Sequence, residues 1–266
     1  MCPALGGLIT GKGPIFKRGL MVAHCLLIET PAHGLVLVDT GFGLKDATDP
    51  KGRLGAYDVW ALGAPREQDC ALRQVERLGF RGEDVRHIVL THMDLDHAGG
   101  IGDFPHAKIH VMRAEHRSAM ARDGSIARMR YRPMHWEHGP DFSLHDPSRG
   151  ESWRGFACVR ELEGLPPEIL MLPLSGHTEG HACVVVDRAE GPLVHAGDAY
   201  FHRAAVRGDR GAVPGGIRSY EWLLACDKQK VTQNHARLRS LASQSDITLF
   251  CAHDVEEYLV QGGTLD

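Results

Sequence analysis

Apolar positions in this 266-residue chain fall into short clusters separated by polar and turn-forming residues. Leu20 to Ile28 and Leu35 to Val38, joined by Pro31-Ala32-His33-Gly34, predict two strands forming a hairpin. Ile88-Val89-Leu90, Ile109 to Met112, Phe156 to Leu162, Glu168 to Pro173, Ala182 to Val186, Leu193 to His195 and Ile247 to Cys251 read as further strands. Cys70, Leu72, Val75 and Leu78 recur at helical spacing and predict a helix over Arg66 to Leu78. Ala114 to Ala121 and Ser219 to Leu241 carry similar patterns. Gly, Pro and Asp recur from Asp39 to Pro65, which predicts a long loop over one face. Residues 122–154 are rich in Arg, His, Pro and Trp without clear periodicity and read as an irregular insertion. With no internal repeat and no low-complexity linker, a single domain over residues 1–266 is expected. Interspersed strands and helices predict a layered α and β protein with sheets packed together and helices outside.

Composition narrows the class. Hydrophobic residues at 43% and charged residues at 24% are ordinary for a globular chain and exclude a disordered, collagen-like or coiled-coil protein. Lys+Arg 30 against Asp+Glu 34 gives a net charge of −4, so no global basic field draws nucleic acid or an anionic bilayer. No apolar run approaches the roughly 20 residues needed to span a membrane. Met1-Cys2-Pro3-Ala4-Leu5-Gly6-Gly7 lacks a basic segment followed by an apolar one, and none of the seven cysteines forms a Cys-x-x-Cys pair. A cytoplasmic protein with reduced thiols is expected. The 17 histidines are the oddity, and their positions matter more than their number.

Thr91-His92-Met93-Asp94-Leu95-Asp96-His97-Ala98-Gly99-Gly100 follows the Ile88-Val89-Leu90 strand directly. If the backbone stays extended, His92, Asp94 and Asp96 alternate onto one side and the next turn brings His97 round to join them. Crowded carboxylates repel one another unless a cation lies between them, and imidazole with carboxylate suits zinc, iron or manganese. Three later strand ends repeat the chemistry: Gly176-His177-Thr178-Glu179-Gly180-His181, His195-Ala196-Gly197-Asp198-Ala199-Tyr200 and Cys251-Ala252-His253-Asp254. His181 and His195 read as packing residues or supports for the ligands.

This ordered set resembles the metallo-β-lactamase superfamily, whose hallmark is His-x-His-x-Asp-His followed by a distant His, Asp and His. Asp39-Thr40-Gly41 is similar to an early Asp-Thr-Gly turn of that family, and Ala252-His253-Asp254 to the Gly-His-Asp of N-acyl-homoserine lactonases. The resemblance implies an αββα sandwich of the α+β class, two mixed sheets with helices outside and two divalent metals at one sheet edge, zinc being the first expectation. It further implies that His92 and His177 hold the first metal, that Asp96, His97 and His253 hold the second, and that Asp198 bridges them. Asp94 departs from the pattern, since family members normally carry histidine there. As a ligand it would favour manganese or iron, as the glutamate of the flavodiiron relatives does. Two other readings of Asp94 stay open: a hydrogen bond to a ligand, or a degenerate first site in a mononuclear enzyme.

A metal lowers the pKa of bound water towards about 7, so hydroxide attack on a carbonyl or phosphoryl centre is the expected chemistry. Asp96 is the candidate to orient that hydroxide or to pass a proton to the leaving group. Tyr200, two residues beyond Asp198, is a candidate oxyanion donor. The lactonase-like ending favours a small lactone or ester as substrate. Phosphodiester or thioester hydrolysis, di-iron redox chemistry and a degenerate ligand-binding module are the alternatives. Arg113, Arg117, Arg122, Arg128, Arg130 and Arg132, with Tyr131 and Trp136 among them, either face an anionic substrate or RNA or belong to a solvated insertion.

Overall fold

A computed structural model describes residues 1–147, 152–159, 161–208 and 212–265. The first sheet has five strands in the order β1 (Leu26–Thr30), β2 (Gly34–Val38), β3 (Val85–Val89), β4 (Lys108–Met112) and β5 (Phe142–His145). β1 and β2 are antiparallel, and β2 through β5 run parallel. A short antiparallel pair, β6 (Ser152–Trp153) and β7 (Phe156–Ala157), precedes the second sheet. That sheet contains β8 (Ile169–Pro173), β9 (Ala182–Val186), β10 (Leu193–His195) and β11 (Thr248–Phe250), ordered β11-β10-β9-β8, with β10 and β11 parallel and the other pairs antiparallel.

Three apolar layers explain why so many strands read as unbroken hydrophobic runs: each sheet is covered on both faces. Val36, Val38, Val89 and Met112 of the first sheet meet Ile169, Met171 and Val184 of the second. On its outer face the first sheet packs Leu37, Ile88 and Val111 against Val75, Phe104 and Ala119. The second sheet packs Leu170, Val185 and Leu249 against Ile217, Leu238 and Leu241 of the Gly215–Leu224 and Lys228–Ala242 helices. The four layers are helix, sheet, sheet, helix.

Several expectations are revised. The stretch from Asp39 to Pro65 holds three short helices, Leu44–Thr48, Pro50–Arg53 and Ala56–Leu62, rather than a long loop. Asp49 caps the second of them by accepting from the Gly52 amide, which turn-like composition alone does not reveal. Within residues 122–154 lie the Gly124–Arg130 helix and β5, whose parallel pairing with β4 makes it the edge of the first sheet. The helix expected over Ser219–Leu241 is two helices, because Asp227 caps the second by accepting from the Lys230 amide. Leu20 to Cys25 precede β1 without joining it. Of the expected strand over Phe156 to Leu162, β7 and a Val159–Met171 bridge are present, and Arg160 lies outside the described residues.

The face between the sheets also carries a row of three imidazoles. His87 Nδ1 is 3.0 Å from His110 Nε2, and His110 Nδ1 is 3.1 Å from His145 Nε2. Burial, with His145, His87 and Lys108 nearby, lowers the pKa of His110 to about 3. His110 therefore stays neutral in the fold but takes a proton in the unfolded chain below its ordinary 6.5. Its stabilisation is complete above that value and is lost as the pH falls through the window towards 3. One such group contributes a slope of about 1.4 kcal/mol per pH unit. Urea unfolding at pH 7, 6, 5 and 4 should show stability falling across this range, with a shallower fall in His110→Asn. An unchanged slope in the variant would show that His110 does not gain a proton on unfolding.

Candidate metal centre

Four chain segments deliver the site, each emerging at the same end of the two sheets. After β3 the chain runs on through Thr91 and His92 and turns at Asp94 into the Leu95–Ala98 helix. The extended alternation thus holds for His92 and Asp94 only. Asp96 and His97 leave from the first helical turn and reach a second group. The ligand atoms of His92, His177 and Asp198 lie within 4.8 Å of one another, as do those of Asp96, His97 and His253. Asp198 sits between the groups: Oδ2 is 3.3 Å from His177 Nε2 and 3.8 Å from His92 Nε2, while Oδ1 is 3.2 Å from His97 Nε2 and 3.1 Å from His253 Nε2. Asp94 Oδ2 adjoins the first group, 3.1 Å from His177 Nε2 and 3.5 Å from His92 Nε2. Ligands sharing one cation at about 2.0–2.2 Å stand about this far apart.

The hydrogen bonds behind the rings determine which nitrogen faces inward. His97 Nδ1 donates to Asp39 Oδ2 at 2.8 Å, and His253 Nδ1 donates to the Val22 carbonyl at 2.8 Å. The Thr91 hydroxyl gives its one proton to Asp39 Oδ2 at 2.8 Å, so it accepts from His92 Nδ1 at 3.0 Å. Each of these rings is left with its Nε2 lone pair pointing at the centre. His92 Nε2, His97 Nε2, Asp94 Oδ1 and Asp198 Oδ1 are buried without a hydrogen-bond partner. Such orphaned acceptors are what a cation site presents. The residues therefore fit the metal pair. Electrostatics agree: burial lowers the pKa of His97 but is outweighed by Asp198, Asp39 and Asp96, which raise it well above the ordinary value, so this centre attracts positive charge.

His181 and His195 are supports, as the sequence suggested. His181 Nε2 accepts from the Asp198 amide at 3.0 Å while Nδ1 donates to the Leu174 carbonyl. His195 Nδ1 accepts from the Gly197 amide at 3.1 Å, and Nε2 donates to the His24 carbonyl. Gly197 has φ +52, and a Cβ there would lie 2.7 Å from His181 Nε2, so only glycine lets Asp198 into position.

Tyr200 does not face the site. Its hydroxyl donates to Glu257, 3.1 Å from Oε2, within the outer core of the second sheet. Burial pushes Glu257 up to about 7. The turn over residues 197–199 explains the failure: alternation from Asp198 would bring Tyr200 to the same side, but the chain is not extended there, and Phe201, not Tyr200, lines the cavity over the centre. Two tyrosines line that cavity, the mostly exposed Tyr57 and the half-buried Tyr220, whose hydroxyl makes no hydrogen bond among the described residues. The cavity, about 210 Å³, is walled by Met1, Leu5, Met21, Trp60, Met129 and Leu224, with Asp94, Asp96, Asp198 and His253 at its floor.

Two residues that sequence reasoning missed tie the site together. Glu115 is fully buried: Oε1 accepts from the Met93 amide at 2.9 Å and the Tyr131 hydroxyl at 3.1 Å, and Oε2 from the Thr178 hydroxyl at 2.6 Å and the Gly180 amide at 3.1 Å. One carboxylate thereby joins the His92 loop to the His177 loop. Nothing in the local pattern distinguishes it from a surface glutamate. Arg130, one of the arginine series, is the other. It is 4% exposed, its Nη1 donates to the His177 carbonyl at 3.0 Å and its Nη2 to the Leu224 carbonyl at 2.9 Å, and Nη2 also lies 3.1 Å from His177 Nε2 and 3.5 Å from Asp94 Oδ2. Burial and Arg130 together lower His177 to about 4. Four of the other five arginines are engaged: Arg113 with Asp146, Arg117 with Glu179, Arg132 with Asp58, and Arg122 with the Tyr131 carbonyl.

Residues 18–253 match the Metallo-beta-lactamase superfamily. The chain belongs to that superfamily. A probable metallo-hydrolase of Mycobacterium tuberculosis is 44% identical over 240 residues, covering 90% of this chain and 76% of the relative. The N-acyl homoserine lactonase AttM of Agrobacterium fabrum is 28% identical over 239 residues, covering 87% of this chain and 81% of the relative. A solved N-acyl homoserine lactone hydrolase, with N-hexanoyl-L-homoserine at its catalytic metal center, superposes with a TM-score of 0.70 at 21% identity, covering 97% of this chain and 92% of that one. The αββα layering is thus the metallo-β-lactamase fold, and the protein is a metal-dependent hydrolase of this superfamily.

Two substitutions separate support from chemistry. Glu115→Ala leaves four buried donors without their acceptor and should lower unfolding free energy by at least about 2 kcal/mol in urea titrations, with weaker metal retention. Tyr200→Phe should cost about 1 kcal/mol and leave turnover unchanged. A large loss of kcat in Tyr200→Phe would restore the phenol to the site.

Proposed function

We propose that this superfamily member hydrolyses a small lactone or ester, with His92, Asp94, His177 and Asp198 holding one divalent metal and Asp96, His97, His253 and Asp198 the other. The observation that carries the reading is a mostly apolar cavity opening onto orphaned imidazole and carboxylate lone pairs. When bound, the metals supply a hydroxide nucleophile at neutral pH and polarise the carbonyl oxygen. The chain's own residues do the rest. The cavity wall takes the acyl portion and excludes water. Asp96, the most exposed of the three inward carboxylates at 15% of its side chain, takes the proton of the attacking hydroxide as the new C–O bond forms and passes it to the alkoxide that leaves. Tyr220 donates its unengaged hydroxyl to the developing oxyanion. The relatedness to lactonases such as AttM supports the same substrate class. Zinc is the expected metal, with manganese or iron served by the added carboxylate of Asp94.

The mostly apolar cavity wall argues against a phosphodiester. Assays with an N-acyl lactone series, a thioester and a phosphodiester test the reading on protein of known metal content. Lactone turnover should be abolished by chelation and restored by Zn²⁺ or Mn²⁺. Its KM should fall with each added acyl CH₂ by a factor of about 3–4, as about 0.8 kcal/mol per buried methylene requires. Tyr220→Phe should lower kcat by at least about tenfold with metal content unchanged. Preferred turnover of the phosphodiester, or indifference to acyl length, would overturn the assignment.

A further inference from the structure

Three of the four histidines at the centre are alike. His92, His97 and His253 each give the Nδ1 proton to an oxygen behind the ring and keep Nε2 free of any neighbouring cation. His177 is different. Its Nδ1 is buried with no partner among the described residues, and its Nε2 lies 3.1 Å from both Arg130 Nη2 and Asp94 Oδ2. A guanidinium has only donors, so Nε2 meets Arg130 as an acceptor in the tautomer that carries the proton on Nδ1, which is also the tautomer a metal ligand needs. An imidazole nitrogen has one lone pair. The lone pair that accepts from Arg130 is the one a metal at His177 would require.

We infer that Arg130 acts as a resident cation of the first site, competing with metal for His177 Nε2, so that the two sites load unequally and the Asp96, His97 and His253 site fills first. The inference rests on the metal ligands assigned above. Arg130 cannot drift away freely, since the His177 and Leu224 carbonyls both hold its head group and it is 4% exposed at the edge of the cavity. Nor can it relieve the conflict by giving up its proton, as a lysine could. It also lies 3.5 Å from Asp94 Oδ2, so it neutralises the carboxylate that stands in place of the usual histidine. The extra negative charge of Asp94, which by itself would strengthen a divalent site, is already balanced. Among the described residues no Arg or Lys side chain approaches the second group, whose Asp96, His97 and His253 meet Asp198 and one another, and the Met1 ammonium near Asp96 donates to the Met21 carbonyl instead. Filling the first site requires Nη2 to turn off His177, and Arg130 then remains as a positive neighbour of Asp94.

Calorimetric titration of chelator-stripped, folded protein with Zn²⁺, together with metal content after dialysis, tests this without any substrate. Wild type should bind its first equivalent at least about tenfold more tightly than its second, and Arg130→Met should narrow that gap by about tenfold or more, retaining close to two metals. Arg130→Gln, which keeps a donor for the two carbonyls while removing the charge, should shift in the same direction. It serves as the second variant if melting curves show Arg130→Met to be unfolded. Two metals of indistinguishable affinity in wild type, or a gap unchanged in both variants, would overturn the inference and leave the ligand assignment standing. No metal bound at all would overturn the ligand assignment and the inference with it.

Discussion

Charge balance among buried carboxylates is the constraint on which this structure depends. Asp39, Asp94 and Asp198 lie within one cluster at one end of two sheets, nearly or fully out of water, and an isolated buried carboxylate is costly. Asp39 is satisfied by His97, the Thr91 hydroxyl and the Thr91 amide, at the price of a left-handed backbone with φ 56. Asp94 is satisfied in part by Arg130. Asp198 faces four imidazoles, and in three of them, His92, His97 and His253, the nearest nitrogen has no proton to give if the ring keeps the tautomer set behind it. A divalent cation on each side resolves that arrangement, and the same cations are what a hydrolase uses.

Around this centre the supporting contacts follow one plan. A strand ends, a ligand-bearing loop turns, and a polar group from elsewhere in the chain clamps the loop: Asp39 for His97, His181 for the Asp198 amide, Glu115 for both the His92 and His177 loops. Backbone clamps of this kind fix ring orientation more firmly than packing does, because a buried donor left unpaired costs about 1–3 kcal/mol. The apolar layers supply the bulk of the stability, and the clamps convert it into ligand geometry.

The departure at Asp94 belongs with Arg130 rather than with the metals alone. A histidine at that position would carry no charge for a guanidinium to answer, and a buried arginine beside it would be uncompensated. Where the family resemblance implies a histidine, this chain carries a carboxylate together with a counter-charge. The exchange alters the electrostatics of one half of the centre and leaves the other half unchanged.

Local patterning was enough to single out the residues that gather at the sheet edge and would hold the proposed metals, since His92, Asp94, Asp96, His97, His177, Asp198 and His253 each follow a legible apolar strand. It was also enough to place β9 and β10, whose boundaries match the apolar runs Ala182 to Val186 and Leu193 to His195. What it left open has a common cause. The direction of a side chain beyond a strand end depends on a turn closed by distant groups, so Tyr200 and Tyr220 could not be told apart from spacing. Helices held by caps and tertiary contact rather than periodicity, as between Asp39 and Pro65, leave little amphipathic signal. Glu115 and Arg130 look like surface charges because nothing near them in sequence says what they meet. Their partners come from residues 93, 177, 178, 180 and 224, and only folding brings those together. The chain alone determined which chemistry converges at one sheet edge; tertiary structure decided which charges answer one another there, because pairing of buried charges depends on distance in space.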